Sequence, residues 1–255
     1  EKKNYEETCR RQYNIFLKNG IEMDIISQEA DFSEYKLLVI PMLYLLKPGF
    51  ADRLKAFVEN GGIVISTYLL GYVNENTLCY LGGFPGDGLK EMFGLYTEEI
   101  DSLYPSETNG ALFAKELGDK TYEIRDYCEV IKPIGAKTIG KYTKDFYADT
   151  PVVTVNSYGK GKAYYVGARI EDDGMEAIYK EACKHAAIKA RPLPEGIEYH
   201  VRSDESADYE FYLNYTDEEK TISNMSDGIN ILTDEKVKDE IRVKAFDLAV
   251  IKIDK

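Results

Sequence analysis

Three carboxyl groups stand close together in the sequence at Glu98, Glu99 and Asp101. Two carboxyl groups about 5 Å apart can cleave a glycosidic bond with retention, one as nucleophile and the other as acid/base. The surrounding pattern predicts a strand, however, and adjacent strand residues point to opposite faces of a sheet. The sequence therefore predicts a solvated acidic strand end or a subunit contact here rather than a catalytic pair.

A cysteine–histidine site is the second chemistry to consider. A thiolate nucleophile of this kind needs a Cys on a tight strand-to-helix turn, with a His and an acid nearby. After a predicted strand over Ile63–Thr67 the chain continues as Tyr68-Leu-Leu-Gly71, without a Cys. The histidines are His185 and His200, and Cys183 is two residues from His185, a spacing that separates side chains on a helix. We therefore predict no working Cys–His site.

Two further segments have a composition that suggests a ligand. Gly82–Gly88 is a glycine-rich loop before a predicted helix, a setting that binds phosphate, but it lacks the Gly-Lys-Ser/Thr ending and has acidic flanks. Glu171–Asp173 could hold Ca²⁺, but no loop of alternating ligands surrounds it. We predict a structural turn and a helix start at these places, with no cofactor and no metal.

The composition disfavours several classes of partner. A net charge of −13 over 255 residues disfavours nucleic acid and anionic membrane surfaces, which require stripes of Lys and Arg. No apolar run approaches the ~20 residues of a membrane-spanning helix. The 21 tyrosines could stack on sugars, but tryptophan is absent and most tyrosines fall at positions predicted to be buried. A carbohydrate-binding module therefore stays a lesser alternative.

The cysteines indicate a cellular location, and the first residues bear on whether the chain is part of a longer protein. The four cysteines are far apart and show no C-x-x-C spacing, which predicts free thiols, no zinc site and a cytoplasmic location. The chain begins at Glu1 without Met, and residues 5–17 already show helical spacing. We therefore expect a fragment of a longer protein.

The first 190 residues begin with alternating helices and strands. We predict, in order, a helix over 5–17, strands over Ile21–Ile26 and Lys36–Met42, a helix from Pro48 to Gly61 and a strand over Ile63–Thr67. Short strand–helix–strand connections imply a parallel βαβ unit and an α/β sheet of the doubly wound kind.

The rest of the chain is richer in strands. The loop 68–88 leads into a short helix ending at Gly94, and several strands follow, two of them flanking a hairpin turn over Ser157–Lys162. A capping box at Asp173 and Glu176 opens another helix. Arg191–Gly196 is the clearest linker, and only short strands are predicted beyond it.

Three segments resemble the β-galactosidases of glycoside hydrolase family 42. Gly71–Gly94 is similar to the family pattern G-x-V-D-E-N-D followed by G-G-x-P-G and a helix ending in Gly, with departures at Asn74 and Thr77, where acids are usual. Tyr158–Arg169 is similar to a G-x-G-x-A-Y-Y hairpin ending in Arg. The tail from Glu210 onward looks like the small C-terminal β domain of the family.

The resemblance implies a domain organisation and a function. Residues 1–190 would form a class I glutamine amidotransferase-like (flavodoxin-like), doubly wound trimerisation domain, and residues 191–255 a small antiparallel β domain. Both normally follow a (β/α)₈ barrel that hydrolyses terminal β-D-galactosides by a retaining two-carboxylate mechanism. We expect a non-catalytic segment whose partners are its own barrel and the other copies of a homotrimer. A stand-alone amidotransferase-like enzyme with a displaced nucleophile is the alternative, beside the carbohydrate-binding module.

The candidate contact residues lie in the loop 68–88 and the strand after it. Loops at the ends of parallel strands are where partners usually dock. The candidates are Tyr72, Leu78, Tyr80, Phe84 and Pro85 of the loop, with Glu98 and Glu99 of the strand.

Overall fold

The computed structural model describes residues 4–255, apart from the side chains of Asn224 and Met225. The backbone divides into two units, each formed by two stretches of chain. The first unit contains the stretch ending at Gln12 and Ile26–Ile188; the second contains Tyr13–Ile25 and Lys189–Lys255. The domain boundary expected between residues 190 and 191 stays a prediction. Within the described residues, no helix is both long and apolar enough to cross a membrane.

Helices and strands alternate at the start of the chain, and strands predominate from β3 onward. The helices are α1 (Tyr5–Lys18), α2 (Phe50–Glu59), α3 (Leu89–Phe93) and α4 (Asp172–His185). The strands are β1 (Leu37–Ile40), β2 (Ile63–Thr67), β3 (Leu95–Ser102), β4 (Asn109–Phe113), β5 (Thr121–Pro133), β6 (Lys137–Tyr142), β7 (Pro151–Tyr158), β8 (Gly161–Val166) and β9 (Ala168–Ile170).

These strands form one nine-stranded mixed sheet in the order β1-β2-β8-β7-β6-β4-β5-β3, with β9 paired to β5. The pairs β1–β2 and β2–β8 are parallel, as the predicted βαβ unit requires. The other neighbouring pairs are antiparallel. The first unit is therefore a mixed α/β structure, and parallel pairing within its sheet is confined to three strands.

The main core lies between α2, α3 and this sheet. Leu54 and Val58 of α2 and Met92 and Phe93 of α3 are fully buried and belong to one cluster with Tyr165 of β8. The spacing of four residues puts Leu54 and Val58 on one face of α2. Each such burial contributes roughly 1.5–3 kcal/mol for a large apolar side chain. The loop 68–88 begins at the end of β2, whose five residues are all buried.

Three local predictions are wrong for identifiable reasons. Residues 21–27 form no strand; the Glu22 carboxylate instead accepts a hydrogen bond from the Val201 amide (2.7 Å). β1 is shorter than expected and only half-buried over most of its length, because it is the outermost strand. No capping box opens α4: its N-cap is Glu171, whose carboxylate accepts from the Glu123 amide (2.8 Å).

The second unit contains a five-stranded antiparallel sheet in the order β10-β11-β14-β12-β13. Its strands are β10 (Ile197–Ser203), β11 (Ala207–Asn214), β12 (Lys220–Asn230), β13 (Glu235–Val243) and β14 (Leu248–Asp254). One face is apolar and includes the buried Tyr212, Ile222 and Ile251. The small antiparallel β structure predicted after the linker is thus confirmed.

Candidate functional site

The structure places the predicted contact residues in one neighbourhood but at different depths. Leu78 is 64% exposed, and Glu98 and Glu99 are also exposed. Tyr80 and Phe84 are half-buried, whereas Tyr72 and Pro85 are buried within the chain. The exposed members are available to a partner, and the buried ones support them from below.

The loop 68–88 has a defined hydrogen-bonded shape. Its backbone pairs with the segment after β1, where the amides of Tyr72 and Val73 donate to the Tyr44 carbonyl (2.9 and 3.1 Å). It closes on itself where the Gly86 amide donates to the Gly71 carbonyl (2.9 Å). A Cβ atom at Gly86 would collide with the Tyr80 ring, which explains the last glycine of the G-G-x-P-G loop.

A stack of three aromatic rings runs through this loop. The rings of Tyr44 and Tyr72 have centroids 5.6 Å apart and an interplanar angle of 13°. Tyr72 stacks in turn on Phe84, at 3.8 Å and 12°. Tyr44 is 41% exposed, so the stack extends from the interior to the surface. Stacked rings restrict the orientation of one another, which keeps the Phe84 ring in place.

The loop is joined to the edge strand β3. The Thr97 amide donates to the Phe84 carbonyl (2.9 Å), and the two residues form an isolated antiparallel bridge. β3 is the last strand of the sheet, and its apolar residues Tyr96 and Ile100 are 38% and 36% exposed. In the loop, Leu81 is 99% exposed.

We call the loop 68–88 and β3 together the loop–strand surface. It combines exposed apolar side chains with the acidic pair Glu98 and Glu99. Glu98 forms an ion pair with Lys132 of β5 (3.0 Å). Apolar groups rimmed by charges are the usual composition of a protein–protein contact.

Beneath this surface lies a buried carboxyl group that sequence reasoning missed. Glu129 of β5 is 0% exposed. Its Oε1 accepts hydrogen bonds from the Leu69 amide (2.8 Å) and the Tyr72 hydroxyl (3.0 Å). Its Oε2 accepts from the hydroxyls of Tyr165 (2.7 Å) and Thr97 (3.3 Å). We call these five residues the Glu129 cluster; it ties the loop, β3 and β8 to one another.

The electrostatics of the Glu129 cluster follow from burial. Burial raises the pKa of Glu129, and the hydrogen bonds from Leu69, Tyr165, Tyr72 and Thr97 offset this only in part. Burial, followed by the charge of Glu129, raises the pKa of both Tyr72 and Tyr165. Both tyrosines therefore keep their protons and act as donors.

One sequence signal could have revealed Glu129. It is the single charged residue of the run Tyr127-Cys-Glu-Val-Ile131, in the middle of a long strand. A charged residue is almost never fully buried without partners. Such a position predicts a buried polar network, although not which residues complete it.

The contacts described for the two histidines are to tyrosine and glutamate side chains rather than to a thiol. Leu69, with φ 64°, occupies the turn after β2 where a nucleophile would be required. The His185 ring nitrogen Nδ1 instead lies 2.7 Å from the Tyr164 hydroxyl. Burial raises the pKa of Cys183 to about 11 and that of Cys128 to about 12, so both thiols stay protonated near neutral pH.

The other chemical candidates have structural partners. Asp101 accepts from the Tyr147 hydroxyl (2.6 Å). A β-bulge between Thr97 and Glu99 interrupts the alternation of β3, so Glu98 and Glu99 are both exposed rather than on opposite faces. Asp172 pairs with Arg11 (2.7 Å) at the start of α4. Among the described residues, no group of three or more His, Cys, Asp or Glu side chains is arranged to hold a metal ion.

The family can now be stated from comparison with known proteins. The sequence pattern of the β-galactosidase trimerisation domain matches residues 1–189, and that of the β-galactosidase C-terminal domain matches residues 196–252. The chain belongs to glycoside hydrolase family 42. It is 39% identical over 259 residues to β-galactosidase Pbg of Clostridium perfringens, and 38% identical over 252 residues to β-galactosidase GalA of Bacillus licheniformis. The alignments cover 99% and 97% of this chain, but 37% of each relative.

Solved structures of this family have the same backbone. The β-galactosidase of Bacillus circulans sp. alkalophilus superimposes with a TM-score of 0.92 at 32% identity, over 98% of this chain and 37% of that one. Gan42B, a family 42 β-galactosidase from G. stearothermophilus, gives a TM-score of 0.92 at 38% identity, over 100% of this chain and 37% of that one. The chain therefore spans little more than a third of the proteins that it matches, and corresponds to their trimerisation and C-terminal domains.

Proposed function

We propose that this chain is the non-catalytic assembly segment of a homotrimeric β-galactosidase. In this proposal the whole protein hydrolyses terminal β-D-galactosides by a retaining two-carboxylate mechanism, in a (β/α)₈ barrel outside these 255 residues. The observation that carries the proposal is the match of residues 1–189 to a domain described by its role in trimerisation. The partners of the segment are its own barrel and two further copies of the protein.

The proposed contact is the loop–strand surface. Its support is the combination of exposed apolar side chains, led by Leu81, with a rigid base formed by the aromatic stack and the Glu129 cluster. A surface that is rigid before contact loses little conformational entropy on assembly. Of the predicted contact residues, Leu78, Glu98 and Glu99 are exposed, whereas Tyr72 and Pro85 are buried.

The absence of catalysis from this segment is also a proposal. It is supported by the ion pair of Glu98, the hydrogen bond of Asp101 and the protonated state of the buried thiols. Glu98 and Asp101 therefore each have a local structural partner.

Three further properties complete the proposal. The domains are residues 1–190 and 191–255. The first has an amidotransferase-like fold, supported by the parallel strands β1, β2 and β8 and the tight turn at Leu69 after β2. The protein is cytoplasmic, a location that its four free cysteines fit.

Solution mass tests the proposal. We expect sedimentation or light scattering of the chain to give a mass near three times 29.0 kDa. Leu81→Ser should shift the mass toward one chain while each chain stays folded, because its side chain is fully exposed within the chain. Phe84→Ala should do the same, with some loss of stability from the stack.

A matched control distinguishes a specific contact from nonspecific hydrophobic association. Phe246 of the second unit is 73% exposed, and Phe246→Ala should leave the mass unchanged. A mass of one chain at every concentration would contradict the claim that these residues build the assembly by themselves. A trimer that both Leu81→Ser and Phe84→Ala retain would contradict the assignment to the loop–strand surface.

A further inference from the structure

A closed circuit of contacts runs through the Glu129 cluster and the loop–strand surface. Glu129 binds Thr97 of β3 through Oε2, and the Thr97 amide binds the Phe84 carbonyl. The Phe84 ring stacks on Tyr72, and the Tyr72 hydroxyl returns to Oε1 of Glu129. A change at either carboxylate oxygen therefore reaches the position of Phe84.

The two oxygens respond differently to a proton. The Leu69 amide can only donate, so it favours the carbonyl oxygen of a protonated carboxyl group, the stronger acceptor of the two, at Oε1. A proton added to Glu129 therefore belongs on Oε2, where the hydroxyls of Tyr165 and Thr97 both donate. One of these hydroxyls must then turn round to accept. The Thr97 bond is the longer of the two (3.3 Å against 2.7 Å), so we expect the link to β3 to change.

Neutral groups face this carboxyl group from every element that touches it. Tyr72 and Leu69 approach from the loop, Thr97 from β3 and Tyr165 from β8, and Tyr142 of β6 donates to the Glu129 main-chain carbonyl (2.9 Å). The hydrogen bonds described for the carboxylate include no cationic donor. Burial without a cation raises the pKa of Glu129, so its proton binds above the ordinary glutamate range near 4.3.

We propose that the Glu129 carboxylate positions the loop–strand surface for self-assembly, and that its protonation weakens the assembly. The proposal rests on the function proposed above, since it concerns the regulation of the same surface. Glu129 is a positioning residue here, because it acts through Thr97, Tyr72 and Phe84.

The overall charge of the protein produces an opposing effect. Copies that each carry a net charge of −13 repel one another less as acid neutralises their exposed carboxylates. Acid would thus tighten assembly for a reason unrelated to Glu129. Only a comparison of wild type with a Glu129 variant at each pH isolates the effect of the buried carboxyl group.

The test uses Glu129→Gln, whose amide offers one acceptor oxygen and one donor group, as the protonated acid does. We would measure the protein concentration at half-assembly for wild type and variant by sedimentation, from about pH 8 to about pH 5, above the ordinary glutamate pKa. We expect a variant-to-wild-type ratio of about tenfold at the alkaline end, the usual effect of one charge-assisted hydrogen bond. The ratio should fall toward one at the acid end, as wild-type Glu129 takes up its proton.

A matched control is Glu123→Gln, which removes an exposed carboxylate from the same strand and should follow wild type. A ratio that is constant with pH would show a merely structural role and overturn the proposal, as would a ratio of one throughout. Wild type that stays monomeric at every pH would instead overturn the proposed function, and this inference with it.

A second variant keeps the proposal falsifiable if Glu129→Gln does not fold. Thr97→Val removes the hydroxyl but keeps the shape of the side chain and the backbone bridge to Phe84. We expect weaker assembly at the alkaline end and convergence with wild type at the acid end. Assembly of Thr97→Val that equals wild type at every pH would overturn the proposal.

Discussion

Each unit of the molecule contains a buried glutamate with two tyrosine hydroxyls, and the glutamate of the second unit also pairs with an arginine. Glu129 of the first unit has neutral donors on both oxygens. Glu210 of the second unit accepts from the hydroxyls of Tyr199 (3.0 Å) and Tyr212 (2.7 Å), and also forms an ion pair with Arg191 (2.8 Å).

The added cation changes what each site can do. At Glu210 the guanidinium of Arg191 also lies over the Tyr199 ring, 4.7 Å from its centroid, which fixes the pair in place. Opposite charges within a few Å attract each other, so the Arg191 cation compensates the buried Glu210 carboxylate. At Glu129 burial is compensated only by dipoles, which leaves its proton occupancy sensitive to pH. The Arg191–Glu210 pair is a structural anchor, whereas Glu129 is suited to respond to pH.

The largest expected effect comes from removal of the cation. Arg191→Met leaves the Glu210 carboxylate buried without its counter-charge, which costs about 3 kcal/mol of stability for a pair of this kind. Urea unfolding followed by circular dichroism measures the loss. Arg202→Met is the matched control, because Arg202 forms an exposed pair with Glu22 in the same unit and should change stability by less than about 0.5 kcal/mol. Equal losses in the two variants would show that Arg191 is not the anchor.

The next effect distinguishes shape from charge at Glu129. Glu129→Ala leaves the buried Leu69 amide without an acceptor, which costs about 2 kcal/mol. Glu129→Gln keeps an acceptor for that amide and removes the buried charge, so we expect a loss under about 1 kcal/mol. The same urea experiment compares the two variants. If Gln destabilises as much as Ala, the charge itself stabilises the fold, and the contrast with Glu210 disappears.

The elements with regular apolar spacing were predictable from the sequence. The stripe Phe50, Leu54, Phe57 and Val58 predicted α2, and its buried side chains confirm it. The run Ile63–Thr67 predicted a buried strand, and all five residues are buried. Such patterns are local, because a helix or strand face is set by residues a few positions apart.

The polar clusters were not predictable, because their members are distant along the chain. The donors to Glu129 come from residues 32 to 60 positions away, on β3, β8 and the loop. Arg191 was assigned only to a linker, although it is the partner of Glu210. Nothing in the local sequence indicates that strands far apart in order become neighbours. The order β2-β8 in the sheet, which places Tyr165 near Glu129, is a property of the fold alone.

The smallest expected effect is the response of stability to pH at Glu129. Its pKa in the folded protein is raised, so the folded state binds the proton more tightly than the unfolded state. Stability from this group is therefore fully present below the ordinary glutamate pKa and is lost as pH rises through the folded value. Protonation of Glu129 should stabilise the fold as the pH falls, whereas the same proton weakens assembly.

The difference in stability between wild type and Glu129→Gln isolates the contribution of Glu129 to the pH dependence. Thermal unfolding of both proteins below the assembly concentration, at several pH values from about 8 to about 5, should show wild type gaining stability relative to the variant as the pH falls toward the ordinary glutamate range. The exposed carboxylates are common to both proteins and cancel in the difference. A difference independent of pH would mean that Glu129 keeps one protonation state over this range. Glu129 would then be a fixed structural anchor, and its contrast with the Arg191–Glu210 pair would disappear.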